Sequence, residues 1–549
     1  VRDENGPADS SRGGRRSAER ALVLGAVVLL LGLLFRLTAV FGKFLWFDEF
    51  LSANLARRPW SGLLSAVRQE AHPPLYFFLL KAWTLVFGDG PTALKALSLT
   101  AGVLAGVFLF DGVRRVFGAL PALAAATLFA FSTVQIDQSS DAKPYALLTL
   151  FLCLTLWSIV RLEQTAQRRF LLLGVLAAAA CVSTHFYGAL AAPAVALSAT
   201  LALRGRSRRG SLLVLAGSLC ALIPWLPAAL GLPRGASDYI REIWGRVPGW
   251  APLAVSARIS LPAWRKPYPP MNGVVLPDLS LRELIGFLLI ASLFVASFAK
   301  PAPLDRTGAP LHRFMAFSGC ALSLGFLAAE TVAGLVDRPI GLPGRLEVVP
   351  ELGLALLAAA ALSKLWSGRW AFVGALAALG LWTAEPQWRP RTGPEPRRRE
   401  EVIVGALAMA TPPGKFTEIV TLGLARPPFD YYGYADPQIR LISFPASQDE
   451  HPGWRVRDEH VRRRTELEAD ADRLVLRLED DLANGIRVYI AAREDPRNEI
   501  LLSRLRRDHD LVPTKFADWF FELRPAAAMV AEGTFSRLRC PLWPKEAYP

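Results

Sequence analysis

The 549-residue chain has little cysteine, five residues in all, and nothing in their placement to build on. Cys153, Cys181, Cys220 and Cys320 fall inside apolar runs and only Cys540 lies in polar sequence, so neither a disulfide framework nor a CxxC metal pair can be drawn. No segment recurs at a fixed period, which excludes solenoid and propeller arrays. The N-terminal "VRDENGPADSSRGGRRSAER" lacks a small-residue cleavage site, and the apolar run behind it is too long for a signal-peptide core. It reads as a cytoplasmic tail, residues 1–20, ahead of a retained first helix. Polar composition is also short. The chain is 52% hydrophobic with a mean hydropathy of +0.29, the balance of a polytopic membrane protein. A formal charge of +14 fits nucleic-acid binders too. Here, however, the arginines bunch in short clusters between apolar runs, as in cytoplasmic loops that touch anionic lipid, and no nucleic-acid partner is expected.

Apolar runs suited to spanning occur at 21–41, 92–110, 117–136, 145–161, 169–203, 211–230, 283–299, 314–335, 346–363 and 369–384. The fifth is far too long for one crossing at about 1.5 Å per residue, and "THFYG" interrupts it, so it divides into two helices turning at His185. The clusters "RGGRR", "GVRRVFG", "RLEQTAQRR", "RGRSRRG" and "KPAPLDRTGAPLHR" all belong on the cytoplasmic side. That is satisfied only if "PPLYFFLLKAWTLVF", 73–87, does not cross. At about 15 residues it is shorter than the roughly 20 a span needs, and it reads as re-entrant or interfacial. The result is an α-helical polytopic domain over 21–385 with about 11 spanning helices, N-terminus inside and C-terminus outside. The outer side receives 42–91, 137–144, the turn at 185–188, 231–282, 336–345 and all sequence past about 386. "FLSANLARRPWSGLLSAVRQEA" reads as one amphipathic helix in the membrane interface.

Near 386 the composition turns Pro- and Arg-rich and then densely charged. Here "FTEIVTL", "IRLISF", "IRVYIAA" and "FADWFFEL" have strand character, and they mix with helical stretches such as "NEILLSRLRRDHDL". Residues 386–549 are therefore expected to form an external soluble α/β domain. With no GxGxxG, P-loop or HExxH, no chemistry attaches to it.

The polar residues expected outside are few. Asp48 and Glu49 in "WFDEF" are first-turn acids of the helix that follows, which alone would explain them. His72 precedes a Pro-Pro helix start; it is either a solvated loop residue or a donor to an anion at the helix N-terminus. "DQSSDAKPYALL" offers Asp141 and Lys143 just before a spanning helix, with Lys143 and Tyr145 also suited to interface anchoring. His185 sits at its turn as an aromatic-belt residue or a ligand-facing one. Arg338 and Arg345 break the inside-positive rule; they snorkel or grip an anion such as phosphate. Carboxylates ringed by cations at one membrane face suit group transfer from a lipid-linked phosphate. A carboxylate takes the acceptor proton and the cations stabilise the departing phosphate. Asp48, Glu49 and Asp141 could offer oxygens to a divalent metal, but no spacing demands one, and no cofactor is required.

In order, "DE" after the first helix, "HPPLYFFLLKAW", "GVRRVFGA", "DAKPYALL", "THFYGAL" and "PGRLEVVPELGLALLA" resemble the polytopic glycosyltransferases related to protein O-mannosyltransferases. The bacterial aminoarabinose and lipopolysaccharide galacturonic acid transferases belong to the same group. The similarity covers most of 20–365. It implies a C-type glycosyltransferase fold, a polyprenyl-phosphate sugar donor, and a lipid, glycan or protein acceptor on the non-cytoplasmic face. It further implies Asp48 as general base, His72, Lys143 and Arg345 at the donor phosphate, and Asp141 orienting acceptor or sugar, with inversion at the anomeric carbon. Two departures stand out: the family more often writes Glu-x-Arg-x-Tyr where this chain has Asp141, Lys143 and Tyr145, and Leu346 replaces a common Tyr after Arg345. Read as a non-ATG start, Val1 expects a bacterial source and hence the inner membrane. The competing class is a transporter or flippase for lipid-linked sugars. Such proteins place charge at mid-membrane, whereas these runs read as largely uncharged. A third is a catalytically dead assembly subunit, against which the intact Asp48 argues.

Overall fold

The computed structural model describes residues 8–41, 44–69, 73–226, 295, 308–335, 345–364, 399–422, 425–434, 436–446, 464–492 and 498–526. They divide into two compact units, Val1–Lys43 with Glu70–Arg391, and Phe44–Gln69 with Thr392–Pro549.

The first unit is helical: α1 (Ala8–Phe41), α4 (Leu75–Phe87), α5 (Pro91–Phe117), α6 (Ala119–Phe131), α7 (Thr133–Ser140), α8 (Tyr145–Thr165), α9 (Arg168–Thr184), α10 (Phe186–Ala202), α11 (Gly205–Leu222), α12 (Ala309–Cys320), α13 (Phe326–Leu335) and α14 (Val348–Leu362). The second unit contributes α2 (Phe47–Arg57) and α3 (Trp60–Gln69) to the chain order. Among the described residues, Leu22–Phe41, Pro91–Phe117, Tyr145–Thr165 and Ala309–Ala333 are long and apolar enough to cross a membrane. The α6–α7 pair passes the same test as one span bent by 58°. The chain is thus a multi-pass membrane protein. Of the expected crossings, those at 283–299 and 369–384 lie, but for Val295, outside the described residues. Helix α4 has 13 residues, about 20 Å at 1.5 Å each, too short to span alone. Helices α9 and α10 meet at His185, where the apolar run divides in the sequence.

Three differences from the sequence reading have local causes. The expected interfacial helix is two, because Pro59 forbids helical backbone at Arg58, whose ψ is 151°. The segment expected as an outer loop from 137 is helical to Ser140, so Asp137 sits on α7. The α6–α7 break at Ser132 needs neither Gly nor Pro. The Ser132 hydroxyl accepts from the Gln135 N–H at 3.0 Å and caps the new helix.

What holds that break is polar and buried. Arg36 of α1, 2% exposed, donates to the carbonyls of Ala130 at 3.0 Å and Phe129 at 3.3 Å, which end α6, and through Nε to Ser139 Oγ at 3.2 Å. The Ser132 hydroxyl donates to Glu351 of α14, and Gln135 Nε2 reaches the Val348 carbonyl at 2.8 Å. Gly102 leaves room for Ser139, since a Cβ there would lie 2.2 Å from its Oγ. The "GVRRVFGA" motif fastens the opposite end of α5. Asp111 accepts from Arg114 at 2.6 Å, Arg115 at 2.5 Å and the Trp157 indole of α8 at 2.8 Å.

In the second unit a sheet of order β2-β1-β3-β5-β4 comprises β1 (Thr417–Leu422), β2 (Ile439–Phe444), β3 (Arg487–Ala492), β4 (His509–Pro513) and β5 (Phe520–Pro525). β2, β1 and β3 run parallel, with Val420 beside Ile442 and Ile490; β3–β5 and β5–β4 are antiparallel. Alternation along the strands splits the core. Val420, Leu422, Ile442 and Ile490 pack with Leu474, Leu478, Leu501 and Leu505 of α17 (Arg464–Ala483) and α18 (Asn498–Asp508). Ile419, Ile439 and Tyr489 pack with Ile403, Leu407 and Phe429 of α15 (Arg399–Ala410) and α16 (Arg426–Tyr432). The helical reading of "NEILLSRLRRDHDL" is correct as far as Asp508; from His509 the chain is strand β4, paired to β5.

Candidate active site

The residues singled out by sequence divide between the two units. Asp48 and Glu49 open α2 in the second unit and are both buried, at 6% and 0% exposed. Their roles separate. Glu49 Oε2 accepts the Trp46 backbone N–H at 3.0 Å, the reach-back bond of a capped helix start. Asp48 lies on the first turn, where the helix dipole favours an anion, and its carbonyl takes the Ser52 hydroxyl at 3.0 Å.

In the first unit the helix ends gather a second group. Asp141 terminates α7 with extended backbone and its carbonyl accepts the Lys143 N–H at 2.8 Å. Lys143 is buried, and its own carbonyl takes the Ser98 hydroxyl of α5 at 3.1 Å, tying this turn to the bundle. Pro144 then starts α8 with Tyr145 in its first turn. The Tyr145 and His185 rings lie 4.9 Å apart, His185 and Tyr187 4.2 Å, and Tyr145 and Tyr187 6.3 Å. His185 caps α10, its Nδ1 accepting the Tyr187 N–H at 3.0 Å; this leaves the proton of the neutral ring on Nε2. Tyr187 is within electrostatic reach of Tyr145, Glu330, Glu347 and Arg345. The structure therefore assembles Tyr145, His185, Tyr187 and Arg345, drawn from three separate stretches of sequence. His72 and Arg338 lie outside the described residues.

Sequence reasoning missed Glu330 and Glu347, both fully buried, the buried charges Arg36 and Lys95 within apolar helices, and the half-buried Glu351 of α14. The spanning runs are less free of charge than their hydropathy implies. The signal was available: a lone ionisable residue in an apolar run is a functional or fastening residue by default. Among the described residues no group of three His, Cys, Asp or Glu side chains is arranged to hold a metal ion. What the aromatic and charged cluster can do is hold a polar, partly anionic group: Arg345 offers a guanidinium fork, the rings offer apolar faces, and the carboxylates accept hydroxyl protons.

Comparison with known proteins gives the following. ArnT from Cupriavidus metallidurans in the apo state aligns with 93% of this chain and 99% of its own, at 15% identity and a TM-score of 0.44. The same protein bound to undecaprenyl phosphate aligns at 15% identity and a TM-score of 0.43, over 92% of this chain and 98% of its own. The Archaeoglobus fulgidus oligosaccharyltransferase tethered to an acceptor peptide aligns at 12% identity and 0.47, over 76% of this chain and 63% of its own. No curated protein matches the chain. Residues 71–230 match the sequence model of the family described as dolichyl-phosphate-mannose-protein mannosyltransferase. That segment runs from the start of α4 through α11 and contains Lys143, Tyr145, His185 and Tyr187. Over that segment, this multi-pass membrane protein is similar to the dolichyl-phosphate-mannose-protein mannosyltransferase family.

Proposed function

We propose that the chain moves one sugar from a polyprenyl phosphate to a hydroxyl of a lipid, glycan or protein on the non-cytoplasmic face of a bacterial inner membrane. The observation that carries this reading is the match of residues 71–230 to a family whose name states a polyprenyl-phosphate sugar donor. The cluster of Tyr145, His185, Tyr187 and Arg345 within and beside that segment supports it.

Asp48 acts as general base. It takes the acceptor hydroxyl proton as that oxygen bonds to the anomeric carbon, and the bond from that carbon to the phosphate oxygen breaks. The electron pair leaves with the polyprenyl phosphate, and direct displacement inverts the anomeric centre. His72, Lys143 and Arg345 neutralise the departing charge; a lysine at 143 does so as a point charge, without the two parallel bonds of an arginine. Asp141 orients sugar or acceptor, with Tyr145 and His185 supporting. Glu49 stays with the helix cap, and Arg338 is a further candidate for the phosphate. No cofactor enters the scheme.

The test is purified chain in proteoliposomes with polyprenyl-phosphate sugars and candidate acceptors. Release of polyprenyl phosphate coupled to glycosylated product supports transfer, and no release with any acceptor refutes it. A second reading, movement of lipid-linked sugars across the bilayer, draws on the charges buried in apolar helices, Arg36 and Glu330. Net lipid flipping by the same vesicles without glycosylation would favour it.

A further inference from the structure

The α/β unit, to which sequence motifs assigned no chemistry, holds the helix that carries Asp48. Helix α2 has 11 residues and buries every one from Asp48 to Ala56. A helix this short is marginal alone, so its packing partner decides where it points. That partner is α16, nearly four hundred residues along the chain. Asn54 Nδ2 donates to the Pro427 carbonyl at 3.0 Å, and Arg57 donates to the Tyr431 carbonyl at 2.6 Å. Those two acceptors stand one turn apart on α16, as the two donors do on α2. Tyr431 O is in the last turn of α16, where carbonyls lose their intrahelical donors and a cation is favoured. The Arg57 guanidinium also lies over the Tyr431 ring at 4.3 Å and the Tyr434 ring at 4.8 Å. Nearer Asp48, the fully buried Phe50 packs its ring 5.3 Å from Tyr431 and 5.7 Å from Tyr432.

Two hydrogen bonds to successive turns fix sliding, and the ring contacts fix rotation. We propose that the C-terminal α/β unit is a positioning device for the transfer reaction: α16 clamps α2 and so fixes the direction of the Asp48 carboxylate. Asn54, Arg57 and Phe50 are its positioning residues on α2, and none of them touches substrate. The proposal rests on Asp48 as general base. It gives the appended domain a role that needs no active site of its own, because misplacing a reacting group by about 1 Å costs on the order of 100-fold in rate.

The experiment uses the full chain in lipid vesicles. Asn54→Leu and Arg57→Met each remove one backbone-directed bond while keeping side-chain bulk. Each is expected to lower kcat between about 10- and 100-fold with the KM for the polyprenyl-phosphate sugar moving less than about threefold. Arg57→Lys, which keeps a charged donor, recovers most of the rate. Hydrogen exchange at the amides of Phe47–Arg57 is expected to speed about tenfold in both apolar variants, with the strands β1 and β3 still protected. Should either apolar variant unfold the sheet, Tyr434→Ala removes only a ring over Arg57 and is expected to lower kcat severalfold. Unchanged exchange across α2 overturns the clamp, whether or not the wild-type chain transfers sugar. Faster exchange with unchanged kcat in an active chain overturns its role in positioning. A wild-type chain that transfers no sugar refutes the transfer reading instead, and exchange still decides the clamp.

Discussion

Replacing Arg36 with leucine is expected to destabilise the membrane bundle at the α6–α7 break, and the size follows from which acceptors are lost. Arg36 makes four hydrogen bonds, but two of its acceptors survive its removal. Gly32 O stands four residues before Arg36 and keeps its helical partner, and Ser139 keeps its own bond to Gln135 O at 2.5 Å. Phe129 O and Ala130 O are different, because the helix that would have satisfied them ends at Phe131. Each buried carbonyl left without a donor costs about 1–3 kcal/mol. Two give about 2–6 kcal/mol. At roughly 2–4 °C per kcal/mol for domains of 150–250 residues, thermal unfolding in detergent should shift down by on the order of 10 °C. Arg36→Lys keeps the charge but not the fork, and should fall between. A melting point for Arg36→Leu within about 2 °C of the wild type would show that the break does not depend on this residue.

Three further expectations concern other parts of the molecule. Gly353→Ala should lower the thermal stability of the bundle, because a Cβ there would lie 2.6 Å from Ser323 N and 2.7 Å from Gly319 O, backbone atoms that cannot step aside. Arg345→Ala should lower kcat for transfer by about 100-fold while α14 remains folded, and an unchanged rate would remove Arg345 from the phosphate site. Burial, and then the facing Asp481, raise the Glu418 carboxyl to about 7 against the pull of Arg477 and Arg440. The folded state therefore holds this proton more tightly than the unfolded one. Glu418 stabilises most below the ordinary carboxylate range and loses that contribution as pH rises from about 4.5 through about 7. Glu418→Gln should flatten this part of the pH dependence of sheet protection, measured by hydrogen exchange against the wild type.

How much was legible in the sequence depended on whether the information was local. The turn at His185 was readable because the surrounding apolar run is too long for one helix and only that pentapeptide interrupts it. Strands β1, β2, β3 and β5 showed as β-branched and aromatic runs, whereas β4 did not, because "HDLVP" continues a helical pattern and becomes a strand by pairing with β5. The bend at Ser132 carried a local mark, Ser132 followed three residues later by Gln135, but the apolar residues on both sides masked it. Arg36, Glu330 and Glu351 were averaged away inside long apolar stretches. The separation of Asp48 from Glu49 could be argued from the cap geometry of a helix start. The surroundings of α2 could not, because Asn54 and Arg57 find their acceptors on a helix of the C-terminal unit. Their pattern as a polar face looked like contact with solvent or lipid headgroups.

The most direct test of transfer with Asp48 as base is a single comparison of wild-type chain and Asp48→Asn in proteoliposomes charged with a polyprenyl-phosphate sugar and acceptor. Released polyprenyl phosphate and glycosylated product are counted together by mass spectrometry. The wild type should yield both in equal amounts. Asp48→Asn, which keeps size and the start of α2, should lose turnover by at least about 100-fold, the lower end of what a positioned general base contributes, with unchanged folded yield. Equal turnover by the two proteins would contradict Asp48 as the base.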